Sequence, residues 1–290
     1  MKLARLLPKL TGLLLLPCSA QLPDISSVAT DLQVPETVTG SPSPGKRVIQ
    51  SHPDYRETSV RHTLYLPENW TEERSHPVIV EFTGNGPFSN AIGDRCTGKV
   101  EDASFGYGLS AGRDYLWVVL PFVDGSGKAN TSRWWGTAPE YSPEPTVTYA
   151  KKCIPWICKT YQGDADRVIL VGFSRGAIAC NFIGLHDDEI ARLWRAFIPY
   201  SHYDGVRQWP YPGSDKDSAI TRLKRLGERP QFIISEAGSD ETRRYIESTG
   251  VEGSFTFGST GFRNHNDAWI LRPSPARKRL RTWLAEVCSP

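Results

Sequence analysis

A chain of 290 residues, 39% hydrophobic and 23% charged, has room for one large α/β core or two small ones. A formal net charge of +2, with no basic run interleaved with aromatics, excludes a polyanion as the organising partner, so no nucleic-acid role is expected. Nine Trp and eleven Tyr are many for this length, and core packing explains most of them, leaving some to line a site.

At the N-terminus, Lys2, Arg5 and Lys9 precede a short apolar stretch, Leu10 to Leu16, and then Pro17-Cys18-Ser19-Ala20. Residues 1–20 read as a signal peptide cut near Ala20, giving a secreted or periplasmic protein with no membrane insertion after its removal. Lipidation at Cys18 is disfavoured because Pro17 stands where a small residue is expected. Residues 21–45, rich in Pro, Ser, Thr and Asp, are expected to be a flexible lead-in to a single domain over residues 46–290.

Residues 46–50 and 58–66 alternate well enough for two antiparallel strands. Residues 78–82 form the first buried strand and run into the loop Thr83-Gly84-Asn85-Gly86-Pro87. A short helix is expected within residues 103–112 and a strand over 115–120. A long loop, residues 122–145, follows, with Arg133-Trp134-Trp135-Gly136 at its centre; loops of this length in a compact domain are usually functional or disordered. Residues 146–161 read as a helix broken or kinked at Pro155. Further strands are expected at 195–200, 231–235 and 254–257, and helices at 215–226, 241–248 and 275–287. Strands and helices alternate after Val78, which predicts an α/β fold with a mainly parallel sheet covered on both faces.

The chain is organised around residues 168–177. The apolar run Val168-Ile169-Leu170-Val171 ends in Gly172-Phe173-Ser174-Arg175-Gly176, and a buried helical pattern follows. A Gly-x-Ser-x-Gly between strand and helix is a nucleophile elbow: a sharp turn lifts the serine hydroxyl above the sheet edge, and the glycines relieve crowding. A serine hydroxyl needs an adjacent base. Of the histidines after Ser174, His265 follows the last strand at the same sheet edge, whereas His186 closes the helix behind the elbow. The imidazole then needs a carboxylate. Asp240, in the loop after the preceding strand, is favoured; Asp204 is the rival and Glu236 stands third. Backbone N–H groups of Arg175 and Asn85 are the expected oxyanion donors, and Trp134 and Trp135 a candidate flat platform for substrate.

The leader's removal leaves Cys96, Cys153, Cys158, Cys180 and Cys288. An oxidising compartment allows disulfides, with Cys153 or Cys158 able to reach Cys96, and an odd count leaves one thiol over. Cys180 reads as a small buried hydrophobe. No Cys/His spacing suggests zinc, so no metal is expected.

The elbow, the glycine loop at residues 83–87 and the order Ser174, Asp240, His265 together resemble the α/β-hydrolase superfamily, and are similar to its secreted serine esterase and polyester-depolymerase branches. The resemblance covers residue 46 to the C-terminus and implies about eight strands and no cofactor. Thr83 stands where many relatives carry a histidine, and no large lid insertion is evident between residues 197 and 231, which favours soluble or polymer-surface esters over membrane lipids. The expectation is a serine carboxylesterase acting on carbohydrate-linked or polyester-type esters; a serine peptidase and a non-catalytic binding protein on the same scaffold are the alternatives.

Overall fold

The computed structural model describes residues 21–289; the expected leader, residues 1–20, lies outside the described residues. Nine strands form the central sheet: β1 (Thr37–Val38), β2 (Arg47–Gln50), β3 (His62–Tyr65), β4 (His76–Phe82), β5 (Leu116–Leu120), β6 (Gly163–Phe173), β7 (Ala196–Tyr200), β8 (Gln231–Ser235) and β9 (Phe255–Ser259). Their spatial order is β1-β2-β3-β5-β4-β6-β7-β8-β9. β3 runs antiparallel to both of its neighbours, and every other pairing is parallel. The expected mainly parallel α/β sheet is present, with one strand more than expected.

The helices are α1 (Phe105–Ser110), α2 (Glu144–Tyr161), α3 (Arg175–Phe182), α4 (Asp188–Ala191), α5 (Lys216–Leu223), α6 (Asp240–Thr249) and α7 (Pro275–Val287). Side chains alternate across each strand, so the sheet divides the core in two. Val78, Val80 and Leu170 face the side covered by α2 and α3. Ile79, Ile169 and Val171 face the side covered by α1 and α7. Both faces of β4 and of β6 from Val168 onward are therefore largely dry, which is why residues 78–80 and 168–171 read as continuous apolar runs rather than alternating ones.

Three features differ from the sequence reading. Helix α2 runs unbroken through Pro155. Residues 21–45 are docked rather than loose: Ile25 is buried, its N–H donates to Asn264 Oδ1 at 2.8 Å, and Asp31 is ion-paired with Arg277. The segment is sparse in large apolar residues, but Ile25, Val28, Leu32 and Val34 all pack against the α1/α7 side of the core, and β1 adds a parallel strand to β2. The five cysteines among the described residues are all free thiols. Cys153 sits 3.6 Å from His62 Nδ1, deep in the α2 side, so the link to Cys96 that the sequence allowed from Cys153 or Cys158 is not made. Among the described residues no helix is long and apolar enough to cross a membrane.

Candidate active site

Adjacent parallel strands end in step, so the residue after each one arrives at a common edge. In register, Gly172 of β6 faces Phe82 of β4 and Pro199 of β7, and Phe173 faces Tyr200. Ser174, Ser201 and Glu236 are the first residues beyond β6, β7 and β8. The Ser174 N–H donates to Tyr200 O at 3.0 Å and the Ser201 N–H to Ile234 O at 2.8 Å, which extends the ladder into the turn.

Ser174 has φ 54° and ψ −113°, a strained conformation for a residue with a side chain. The turn needs both flanking glycines. A Cβ on Gly172 would lie 2.1 Å from Gly176 O, and one on Gly176 would lie 1.9 Å from Phe82 O. Helix α3 begins directly at Arg175, and the first N–H groups of a helix have no partner within it. The Ala177 and Ile178 N–H groups donate to Ser174 O at 3.0 and 3.2 Å, which anchors the helix start to the turn.

His265 Nε2 stands 3.0 Å from Ser174 Oγ, and its Nδ1 stands 2.9 Å from Glu236 Oε1. Ionised Glu236 can only accept, so Nδ1 carries the ring proton and Nε2 is left to accept from the serine hydroxyl. Burial works to raise the pKa of Glu236, but hydrogen bonds from His265 and Ser201 outweigh it and hold the group below the ordinary carboxylate value. The His265 loop is fixed from below. Asp94, almost fully buried, accepts the His265 N–H at 2.9 Å through one oxygen and Asn264 Nδ2 at 2.9 Å through the other. Phe173 packs beneath the imidazole, ring centroids 4.8 Å apart, and Phe88 meets it edge-on at 5.5 Å.

The carboxylate beside His265 is Glu236, the third choice of the sequence reading. Asp240, the first choice, begins α6 and is exposed. Five residues past β8 the chain has already turned into the helix, where a carboxylate suits the N-terminal turn instead of the sheet edge. Asp204, the rival, is buried in a bidentate ion pair with Arg222, at 2.8 and 3.1 Å.

A cavity of about 220 Å³ opens over Ser174 and is lined by Asn85, Phe88, Cys96, Trp134, Phe173, Arg175, Ile178, His202, Trp209 and His265. It brings together Ser174, His265, Asn85, Arg175 and Trp134 from the sequence list. Trp135 is not on it: it is fully buried, stacked on Phe182 at 4.5 Å, and so forms no platform. Trp209, His202 and Phe88 were not anticipated, because they lie in segments without periodicity or motif. His202 is pushed down to about 4, chiefly by burial and next by the charge on His265, and lines the cavity as a neutral ring.

The Arg175 side chain turns inward and is 1% exposed. Its guanidinium donates to Trp134 O at 2.5 Å and Gly84 O at 2.8 Å, and it lies 3.9 Å over the Phe122 ring. Burial lowers its pKa to about 9. It therefore ties the two loops beside the serine together. Asn85 Oδ1 accepts the Trp134 N–H at 2.8 Å and adds a second tie between the same loops.

No family model matches the chain, and no curated protein matches it. Solved structures do. An S-formylglutathione hydrolase from Agrobacterium tumefaciens is 13% identical over 87% of this chain and 99% of its own, with a TM-score of 0.60. A putative dipeptidyl aminopeptidase IV from Bacteroides ovatus is 13% identical over 83% of this chain but only 36% of its own, with a TM-score of 0.56. A thermostable esterase is 13% identical over 83% of this chain and 62% of its own, with a TM-score of 0.51. At these identities the likeness is one of fold, and together with the strand order and the elbow it establishes that this chain adopts the α/β-hydrolase fold.

Proposed function

We propose that the protein is a serine hydrolase of carboxylic esters, working through Ser174, His265 and Glu236. The observation that carries this reading is the hydrogen-bonded line from Ser174 Oγ through His265 to Glu236, at 3.0 and 2.9 Å, at the floor of an aromatic-lined cavity. As Ser174 Oγ bonds to the ester carbonyl carbon, its proton passes to His265 Nε2. Glu236 stabilises the imidazolium by accepting from Nδ1. The carbonyl oxygen becomes an oxyanion, for which the backbone N–H groups of Arg175 and Asn85 are the donors. The tetrahedral centre collapses, the C–O bond to the alcohol breaks, and the alcohol leaves with the proton from Nε2. A water then gives its proton to Nε2 and attacks the acyl carbon; the acid departs and Ser174 recovers its proton.

The lining favours an apolar or aromatic acyl group, with Trp134 and Trp209 as contact surfaces. Esters attached to carbohydrate or within a polyester are the substrate class proposed, and export is proposed from the basic start and apolar stretch of residues 1–20. The peptidase likeness supports peptide bond cleavage as a second reading.

Ser174→Ala should keep the fold and lose p-nitrophenyl ester turnover by several orders of magnitude, since members of such a set act as a unit. A fluorophosphonate should phosphonylate Ser174 with loss of fluoride, adding the mass of the reagent less HF, in the wild type alone. A variant that keeps a tenth of the wild-type rate defeats the proposal. Cleavage of a peptide anilide faster than the ester selects the second reading.

A further inference from the structure

We propose that Ser201 is a positioning residue for the triad, its hydroxyl clamping the Glu236 carboxylate and the Nδ1 edge of His265 to one another. The inference rests on the reading of Ser174, His265 and Glu236 given above. Ser201 Oγ stands 2.7 Å from Glu236 Oε1 and 2.9 Å from His265 Nδ1. The hydroxyl has one proton, and an ionised carboxylate can only accept, so Ser201 donates to Glu236. Its oxygen lone pairs then face the Nδ1–H, which is shared between Ser201 Oγ and Glu236 Oε1. Each of the three groups touches the other two.

The backbone supplies an independent observation. Ser201 has φ 84°, in the region that favours glycine, yet it carries a side chain. Such a residue persists where its surroundings over-determine it, and these outliers cluster at functional sites. The position is also the right one. Ser201 leaves β7, which lies between β6 and β8, the strands that deliver Ser174 and Glu236. A left-handed step there turns Oγ along the sheet edge toward Glu236. Against the pull of burial, the Ser201 hydrogen bond is among those that keep the carboxylate ionised. A shared Nδ1–H also limits rotation of the imidazole, whose opposite nitrogen must stay on Ser174.

Two variants separate the hydroxyl from the turn. Ser201→Gly accepts φ 84° without strain and lacks the hydroxyl; Ser201→Ala lacks it and keeps the strain. Positioning demands that both lose kcat by about ten- to a hundredfold, with KM little changed, because small misplacements at reacting groups cost that much. The His265 Nδ1–H resonance in the proton NMR spectrum, identified by its loss in His265→Gln, should move in both. A merely structural turn residue predicts that Ser201→Gly matches the wild type in kcat and leaves the resonance in place, and either result overturns the proposal. If Ser201→Ala fails to fold, Ser201→Gly alone decides. If the wild type turns over no ester, the reading of the site fails separately, and the resonance still tests the clamp.

Discussion

Glu236 Oε1 lies 2.9 Å from His265 Nδ1 and reaches it from the first residue beyond β8. The short tether matters. A carboxylate one residue from a strand end is held by the sheet itself, and the Ser259 hydroxyl donates to the Glu236 carbonyl at 2.7 Å to fix the turn.

The first expected outcome follows from this pair. Glu236→Gln keeps the shape but offers the imidazole a donor as well as an acceptor, which favours the wrong tautomer. The analogous change in serine proteases costs about ten-thousandfold in kcat, and a loss of that order is expected here. Asp240→Asn, on the exposed start of α6, should stay within about twofold of wild type, as surface changes usually do. Steady-state kinetics on both variants decides; if they exchange behaviour, Asp240 supports His265.

The elbow could be read from sequence because its pattern is contiguous: Gly172 is forced by Gly176 four residues on, and Gly176 by the end of the neighbouring strand at Phe82. His265 was legible because only one histidine follows the last strand. The acid was not, because Glu236 and Asp240 both follow β8, and only the start of α6 determines which of them stays at the edge. Ser201 gave no signal at all. Its place depends on a left-handed φ and on partners 35 and 64 residues away. Trp134 and Trp135 are neighbours in sequence yet point to a cavity and to the core, a division set by the stacking of Trp135 on Phe182.

The second outcome concerns Arg175. Its guanidinium donates to the carbonyls of Trp134 and Gly84. Arg175→Met removes a buried charge but leaves those carbonyls without donors, at about 1–3 kcal/mol for each group left unsatisfied. A lower midpoint in urea unfolding is expected, and a lower kcat as well, because the Gly84–Asn85 backbone is released beside Ser174. A variant with wild-type kcat and midpoint would show that the loops are held by other contacts.

The third outcome is a pH dependence of stability. Burial lowers His62 to about 3 and His202 to about 4, from the ordinary 6.5. Above pH 6.5 both residues are neutral in the folded and unfolded chains, and no proton is exchanged on unfolding. As pH falls below 6.5, the unfolded chain takes up protons that the folded one refuses, so the folded state loses ground down to about pH 4 for His202 and about 3 for His62. Carboxylates held low, Glu236 among them, change in the same direction below their unfolded pKa. Buried Glu81, raised to about 7, and Asp204 and Asp267, also raised by burial, act in the opposite direction. The test is therefore the comparison with His202→Phe. Between pH 7 and 4 its urea midpoint should change less steeply downward than the wild type's, by up to one proton. An unchanged slope in that variant would mean that His202 is charged in the folded protein.

The fourth outcome separates stability from catalysis at Asp204. The pair with Arg222 is bidentate and buried, and the Arg222 guanidinium also lies 4.4 Å over the Phe182 ring. Bringing two charges out of water is costly, and their attraction offsets that cost only while both are present. Asp204→Asn leaves Arg222 buried with a weaker neutral partner, and breaking such pairs typically costs about 3–5 kcal/mol. A drop of this order in unfolding free energy is expected. The kcat of the protein that remains folded should be nearly unchanged, because Asp204 does not meet His265, whose Nδ1 is taken by Glu236 and Ser201. The double variant Asp204→Leu/Arg222→Met removes both charges at similar volume and should recover much of the lost stability, since apolar replacements of buried pairs are often neutral or better. Urea unfolding with active-site titration separates the two effects. A large fall in kcat per active site in Asp204→Asn, with an unchanged unfolding midpoint, would return Asp204 to the role of triad acid.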